Sequence, residues 1–398
     1  MKKVLIWDDF PLLNNGGPSG YLYNIHEYIK QQPVEQITFL SDLLAQQRIN
    51  IDIREEGDNK IPIVGRVLVH FKLIFKYSWG IFRNKTHIVL PLEILNEYDY
   101  IHFHSNPHVS QFKARYPNYS GKLILTSHCP CTWTDEILTR LPKYMSIFRK
   151  QIFCQECRNF RITDYIMFPC KEAREPYEKY NEIERIFTSK EMAFFYVTSS
   201  ITDVKINKEI MQSYASIGIP ADAFVITYFG RHNYIKGYDI LKTVGEKLLD
   251  RYPNLYFLCA GRGEIQPLNH KRWIELGFVN NTAELLEQSD LYILPNRETY
   301  FDLVLLEVFR SCTYVIISDT GGNRYFKQYL DEERIGISFF DIKNIDSLLE
   351  QVSRCIEAKA SNPERYRMYG KANRKIFEDS FTIDRYVKNY VEAIDNLH

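Results

Sequence analysis

Phe229-Gly230-Arg231-His232-Asn233-Tyr234-Ile235-Lys236-Gly237 is the stretch on which the fold turns. The apolar run Phe224–Phe229 leading into it reads as a buried strand, and a glycine closes the run. Beyond Lys236, apolar Ile240, Leu241, Val244 and Leu248 recur at helical spacing. Arg231 and Lys236 therefore stand between a strand and a helix, at the strand's carboxyl end. Open α/β sheets bind ligands there, and two cations at such a rim suit a diphosphate. The same residues also fit a pair of solvated cations at a turn, and the motif alone does not choose.

The pattern extends outward in both directions. Short apolar runs alternate with amphipathic segments of helix length, the mark of βα units and a mostly parallel sheet. In the first half the expected strands are Val4–Trp7, Ile37–Leu40, Tyr100–His104, Leu123–Ser127, Tyr165–Phe168 and Phe194–Val197. In the second they are Phe224–Phe229, Leu255–Ala260, Leu291–Leu294 and Tyr314–Ser318. Gly218-Ile219-Pro220 separates the halves, so the boundary is expected between Thr198 and Ala223. The fold class is α/β: two doubly wound domains facing each other. Ile383, Tyr386, Val387, Tyr390, Val391 and Ile394 give a final amphipathic helix that needs a partner surface.

Bulk properties agree. A chain of 398 residues exceeds what one core fills, so two domains are the default. Its 50 Lys and Arg balance its 50 Asp and Glu, which argues against a nucleic-acid partner. Residues 61–160 depart from that balance, with 13 basic against 6 acidic side chains. Met1-Lys2-Lys3 leads straight into Val4-Leu5-Ile6-Trp7 with no signal-peptide core, and no run of about 18 apolar residues occurs. A cytoplasmic protein with reduced cysteines is expected.

Three further motifs carry chemistry. Gly16-Gly17-Pro18-Ser19-Gly20 follows the first strand and opens a helix, where glycines let backbone approach a ligand. It is not the dinucleotide fingerprint, which weakens a dehydrogenase reading. Gly261-Arg262-Gly263 closes the strand Leu255–Ala260. The segment Pro295–Glu307 leaves a strand at Leu294 and starts a helix near Asp302, whose first amides favour an anion. Within it Glu307 is a carboxylate among Leu303, Val304, Leu306 and Val308. Ribose hydroxyls would satisfy it if buried, and water would if solvated.

In this order the motifs resemble the retaining glycosyltransferases of family 4, over nearly the whole chain. The resemblance implies the GT-B fold: two Rossmann-like domains across a cleft, with a carboxyl-terminal helix crossing back to the amino domain. It implies residues 1–200 as the acceptor domain, 201–380 as the donor domain and 381–398 as the returning helix. Arg231 and Lys236 would then clamp the donor diphosphate and Glu307 would hold the nucleotide ribose. His128, in Leu125-Thr126-Ser127-His128, would line the catalytic cleft. Gly17, Gly230, Gly263, Val279, Glu298, Thr299, Phe301, Asp302, Leu303 and Val304 would form the rest of the donor site. The sequence departs from the family where Thr299 replaces a glutamate eight positions before Glu307, with Glu298 one step away. It departs again where Asp302 replaces a glycine before the helix, putting an anion near the expected phosphate. The donor would be a nucleotide-diphosphate sugar, with no cofactor required. The acceptor would be a hydroxyl of a glycan, lipid-linked or protein substrate in bacterial surface polysaccharide, glycolipid or glycoprotein assembly. Two rivals remain: a GT-B partner or glycan-binding protein without turnover, and a sugar-nucleotide epimerase.

Two other features stay open. Cys129, Cys131, Cys154 and Cys157 form two close pairs that could hold zinc, or they pack as small reduced side chains. Lys72–Lys85 and Arg140–Lys150 interleave cations with aromatic and aliphatic residues, as a surface on anionic lipid would, or as a solvated face over a core would.

Overall fold

The structure, a computed structural model, describes residues 1–13, 17–47, 85–204, 214–279, 282–330 and 336–398, and not the side chain of residue 140. The expected segment Lys72–Lys85 therefore lies outside the described residues except for its last member. The chain divides into two compact units, Met1–Thr198 with Val387–His398, and Ser199–Tyr386.

The first unit holds β1 (Val4–Trp7), β2 (Ile37–Phe39), β3 (Tyr100–Phe103), β4 (Lys122–Thr126), β5 (Tyr165–Phe168) and β6 (Phe194–Tyr196). They form one sheet in the order β2-β1-β3-β4-β5-β6, parallel throughout. Its central strands are mostly apolar, as strands buried on both faces are, and β1 and β3 are fully buried, with His102 the polar exception in β3.

The second unit holds β7 (Phe224–Phe229), β8 (Leu255–Ala260), β9 (Trp273–Glu275), β10 (Leu291–Leu294), β11 (Tyr314–Ser318) and β12 (Ile337–Phe340). Their order is β12-β11-β10-β7-β8-β9, again all parallel. One face of β7, through Phe224, Ile226 and Tyr228, packs with Ile240, Leu241, Val244 and Leu248 of the helix Tyr238–Arg251. The helical spacing seen beyond Lys236 is this apolar stripe.

In both sheets the chain starts in the middle, winds outward one way, then returns to wind the other. The reversal falls between β1 and β3 in the first sheet and between β7 and β10 in the second. Crossover helices leave such a switch point on opposite faces, which opens a crevice at the strands' carboxyl ends. The fold thereby nominates the loops after β1, β3, β7 and β10.

Two strands lie outside the sequence expectation. β9 is three residues long, and β12 has the two middle positions of its four only half-buried. Both are edge strands paired on one side, and short edges leave little periodicity to read. The last helix runs Ile383–Asn396, and from Val387 onward it belongs to the first unit.

Candidate functional site

At the second sheet's switch point, the loop after β7 presents the two cations. Gly230 N donates to Ala260 O at 2.9 Å, holding the loop against β8, and Arg231 is exposed. His232 turns inward and stacks on Tyr238 with ring centroids 3.8 Å apart and 4° between planes. Asn233 Oδ1 accepts from Lys236 N at 2.9 Å, which bends the loop so that Lys236 points back over the sheet rim. Gly237 follows at φ +65°, and a Cβ there would lie 1.9 Å from Pro295 O. Only glycine lets this loop press on the one after β10. Gly261, at φ +137°, likewise brings β8's exit within 1.8 Å of Gly230 O for any added Cβ.

The loop after β10 runs from Pro295 to Asp302 and feeds the helix Leu303–Arg310. Asn296 and Thr299 are fully buried. Asp302 accepts from Lys236 Nζ, from Asn296 Nδ2, and from Thr299 Oγ1 at 2.8 Å. The structure thus brings Lys236, Thr299 and Asp302 together and adds Asn296, which sequence reasoning missed. Arg297 was missed as well. Its guanidinium pairs bidentately with Asp239 at 2.6 and 2.7 Å and lies 3.6 Å from the Tyr234 ring centroid, so it ties the two loops together. The spacing Asn296-x5-Asp302 carries no signal by itself, because the contact depends on a lysine 66 residues away.

The other expected donor-site residues, Gly17 apart, lie in the same unit. Gly263 is exposed on the turn after β8, and Val279 is half-buried beyond β9. Glu298, Leu303 and Val304 are half-buried, and Phe301 is buried against Phe326 and Phe381. Glu307 sits one turn into the helix. Burial raises its carboxyl above the ordinary glutamate range, while Arg310 and a hydrogen bond from Thr282 oppose that rise. A half-buried carboxyl of this kind is a ready acceptor for hydroxyl donors.

In the first unit, Gly17 is exposed at φ +62° and opens the helix Gly17–Gln31. His128 follows β4, and its Nε2 meets His104 Nδ1 at 2.8 Å, with the Tyr21 ring centroid 4.9 Å away and tilted at 56°. Burial lowers His128 and His102 to about 3 and His104 well below its usual value. Near neutral pH these rings are uncharged, so between His104 and His128 one nitrogen donates and the other accepts. Sequence reasoning missed Asp8 and Asp9, which leave β1 at the switch point. Burial raises Asp8 to about 7, and its Oδ2 has no partner among the described residues. His108 Nδ1 lies 3.0 Å from Asp9 Oδ1 but out of line for a hydrogen bond, so both atoms stay unsatisfied. His104 Nε2 is a fourth such atom. Consecutive aspartates directly after a buried strand were the available signal.

The eight cysteines form no disulfide. Cys154 is exposed and Cys157 buried on the helix Arg149–Ile162, while Cys131 is buried and Cys129 half-buried before another helix. Among the described residues no three His, Cys, Asp or Glu side chains are placed to hold a metal ion. The two cysteine pairs therefore do not assemble the tetrahedral zinc site that their spacing allowed. Among the described residues no helix is long and apolar enough to cross a membrane.

Residues 223–358, about a third of the chain, match the family model described as "Glycosyl transferases group 1". An uncharacterized glycosyltransferase of Methanocaldococcus jannaschii is 30% identical over 153 residues, 35% of this chain and 38% of that protein. A glycogen synthase of Clostridium botulinum is 24% identical over 212 residues, 50% of this chain and 44% of that protein. The chain thus spans less than half the length of these two relatives. The crystal structure of Anabaena HepE in complex with UDP and glucose superposes with a TM-score of 0.63 at 13% identity, covering all of both chains.

Proposed function

We propose that this chain transfers a sugar from a nucleoside-diphosphate donor to a hydroxyl acceptor, with retention of anomeric configuration. The observation that carries it is the pair Arg231 and Lys236 at the β7–β10 switch point, beside the loop that feeds the helix Leu303–Arg310. The likeness to a structure that holds UDP and glucose supports the same donor class.

Departure of the diphosphate is the difficult step. The bond from the sugar's anomeric carbon to the phosphate oxygen breaks as a bond to the acceptor oxygen forms on the same face. The acceptor's proton passes to the departing phosphate oxygen. Arg231 and Lys236 stabilise the charge that develops there, and fixed donors of this kind contribute about 3–4 kcal/mol each. Gly230 and Gly263 admit the phosphates, Glu307 takes the ribose hydroxyls, and Val279, Leu303 and Val304 border the nucleoside. Glu298, Thr299 and Phe301 border the sugar, and His128 serves the acceptor side. With two cations on the diphosphate no cofactor is required, so a chelator should leave turnover intact. The acceptor belongs to bacterial surface polysaccharide, glycolipid or glycoprotein assembly. On the segment Lys143–Phe148, Tyr144 and Ile147 are 41% and 71% exposed beside Lys143 and Lys150, which supports peripheral contact with anionic lipid.

The test is a panel of nucleotide sugars incubated with a mixed glycan and glycolipid extract. Release of nucleoside diphosphate with an axial-to-axial or equatorial-to-equatorial product by NMR is expected. A donor altered without any acceptor would instead identify an epimerase. Arg231→Ala should lower turnover by about 100-fold or more while leaving the melting temperature near wild type. A second reading, a GT-B protein that binds without turnover, is favoured by the carboxylate of Asp302 on Lys236. Absence of any transfer with nucleotide binding preserved would establish it.

A further inference from the structure

We infer that Asp302 is an internal competitor for the donor's phosphate: its carboxylate stands in for a phosphoryl oxygen on Lys236, Asn296 and Thr299, and a nucleoside diphosphate binds by displacing it. The inference rests on the diphosphate reading of this site and concerns how that site is occupied without donor.

Three donors converge on one carboxylate, Asn296 and Thr299 from its own loop and Lys236 from the loop after β7. Asn296 and Thr299 are wholly buried, and the ammonium and carboxylate side chains are only 17% and 18% exposed. This is a built anion cage, unlike a surface ion pair between mobile side chains. Asn296 Nδ2 has no other described acceptor, so the cage empties if the carboxylate leaves.

A second observation is independent of the cage. Asp302 occupies the N-cap position of the helix Leu303–Arg310, where an aspartate normally accepts from the helix's own free amides. It makes no such bond. Its carboxylate is turned away from its helix and onto Lys236, so the N-cap side chain bonds none of the first-turn amides, and Leu305 N donates to the backbone carbonyl of Asp302 instead. A diphosphate arriving at this rim would seek the same ammonium and the same amides. Two anions cannot share one ammonium without repulsion, so the carboxylate must yield, and that requirement weakens donor binding. A neutral residue at position 302 removes the competition.

The experiment titrates UDP, GDP and inorganic pyrophosphate calorimetrically into the full chain as wild type, Asp302→Asn, Lys236→Ala and the double variant, at low salt. Thermal melts confirm folding, and Asp302→Ser, which also fits an N-cap, repeats the test should the Asn variant melt early. The expected result is at least tenfold tighter binding by Asp302→Asn than by wild type. Lys236→Ala should also cost more affinity in the Asp302→Asn background than in wild type, because only there is the ammonium unoccupied. Equal or weaker binding by Asp302→Asn, or strictly additive effects, overturns the inference and makes Asp302 a residue that orients Lys236. If no probe binds any variant, the diphosphate reading and the inference fall together. If wild type binds and the variant gains nothing, the inference alone falls.

Discussion

Asp8 shows how much chemistry one buried carboxyl can hold at a switch point. It is 1% exposed, and its Oδ1 accepts from Ser41 N at 3.1 Å while Oδ2 is unsatisfied. Loss of solvation raises it to about 7, so the folded chain keeps a proton that the unfolded chain releases near the ordinary value of 3.8. Between those values the folded state binds more protons, so this group's contribution to stability is fully present at low pH. It falls as pH rises, by at most about 1.4 kcal/mol per unit, and levels off above the folded value. Asp8→Asn has no such titration. Melting curves of both proteins should therefore show the variant gaining on wild type from about pH 4 to 7, then a constant difference. The neutral histidines titrate in the opposite sense, since burial lowers them, but they are common to both proteins and cancel. A difference that stays flat from pH 4 to 8 would mean that Asp8 is solvated in the folded chain. The same proton makes Asp8 a hydroxyl-binding group near neutral pH, one able to donate as well as accept.

Among the elements, the carboxyl-terminal helix is held by side chains that its own spacing foretells. Tyr390 is 1% exposed, its hydroxyl meets His102 Nδ1 at 2.7 Å, and the two rings stack 14° from parallel. Lys2 N donates to Asp395 Oδ1 at 2.9 Å, which fixes the helix end beside β1. Tyr390→Phe should keep the stack but leave a buried imidazole nitrogen without its partner, a loss of roughly 1–3 kcal/mol. Denaturant unfolding of the variant measures it, and a change below about 0.5 kcal/mol would show that water replaces the hydroxyl. Legibility varied among the elements for physical reasons. β7, β8, β10 and β11 are central, largely apolar runs, the first three closed by glycine or proline, and their limits are those read from sequence. β9 and β12 were invisible because edge strands pair on one side and bury little. Gly237 and Gly261, at the exits of β7 and β8, let one loop pack on another, a role that spacing alone does not show. The contact of Lys236 with Asp302 could not be read at all. It joins two loops brought together only by the adjacency of β7 and β10, and the sequence separates them by two helices and the strands β8 and β9.

At the scale of the molecule, two units with one architecture carry unlike rims. The rim of the Ser199–Tyr386 unit presents Arg231 and Lys236, and that of the first unit presents neutral imidazoles and a carboxyl raised by burial. On the proposed function, the charged rim of the Ser199–Tyr386 unit takes the diphosphate and the uncharged rim of the other unit takes the acceptor's hydroxyls. Each unit has its own parallel sheet and its own buried strands, so each should unfold as its own cooperative step. A ligand that binds one native unit stabilises that unit by mass action, by about 2.7 kcal/mol when present at one hundred times its dissociation constant. For a unit of this size that is a rise of roughly 5–11 °C in its melting temperature. Scanning calorimetry with saturating UDP should then shift one transition by this amount and leave the other in place. Arg231→Ala should abolish the shift without moving either transition in the absence of nucleotide. If both transitions move together by the same amount, the nucleotide is not held by the Ser199–Tyr386 unit alone, and the division of labour between the two rims fails.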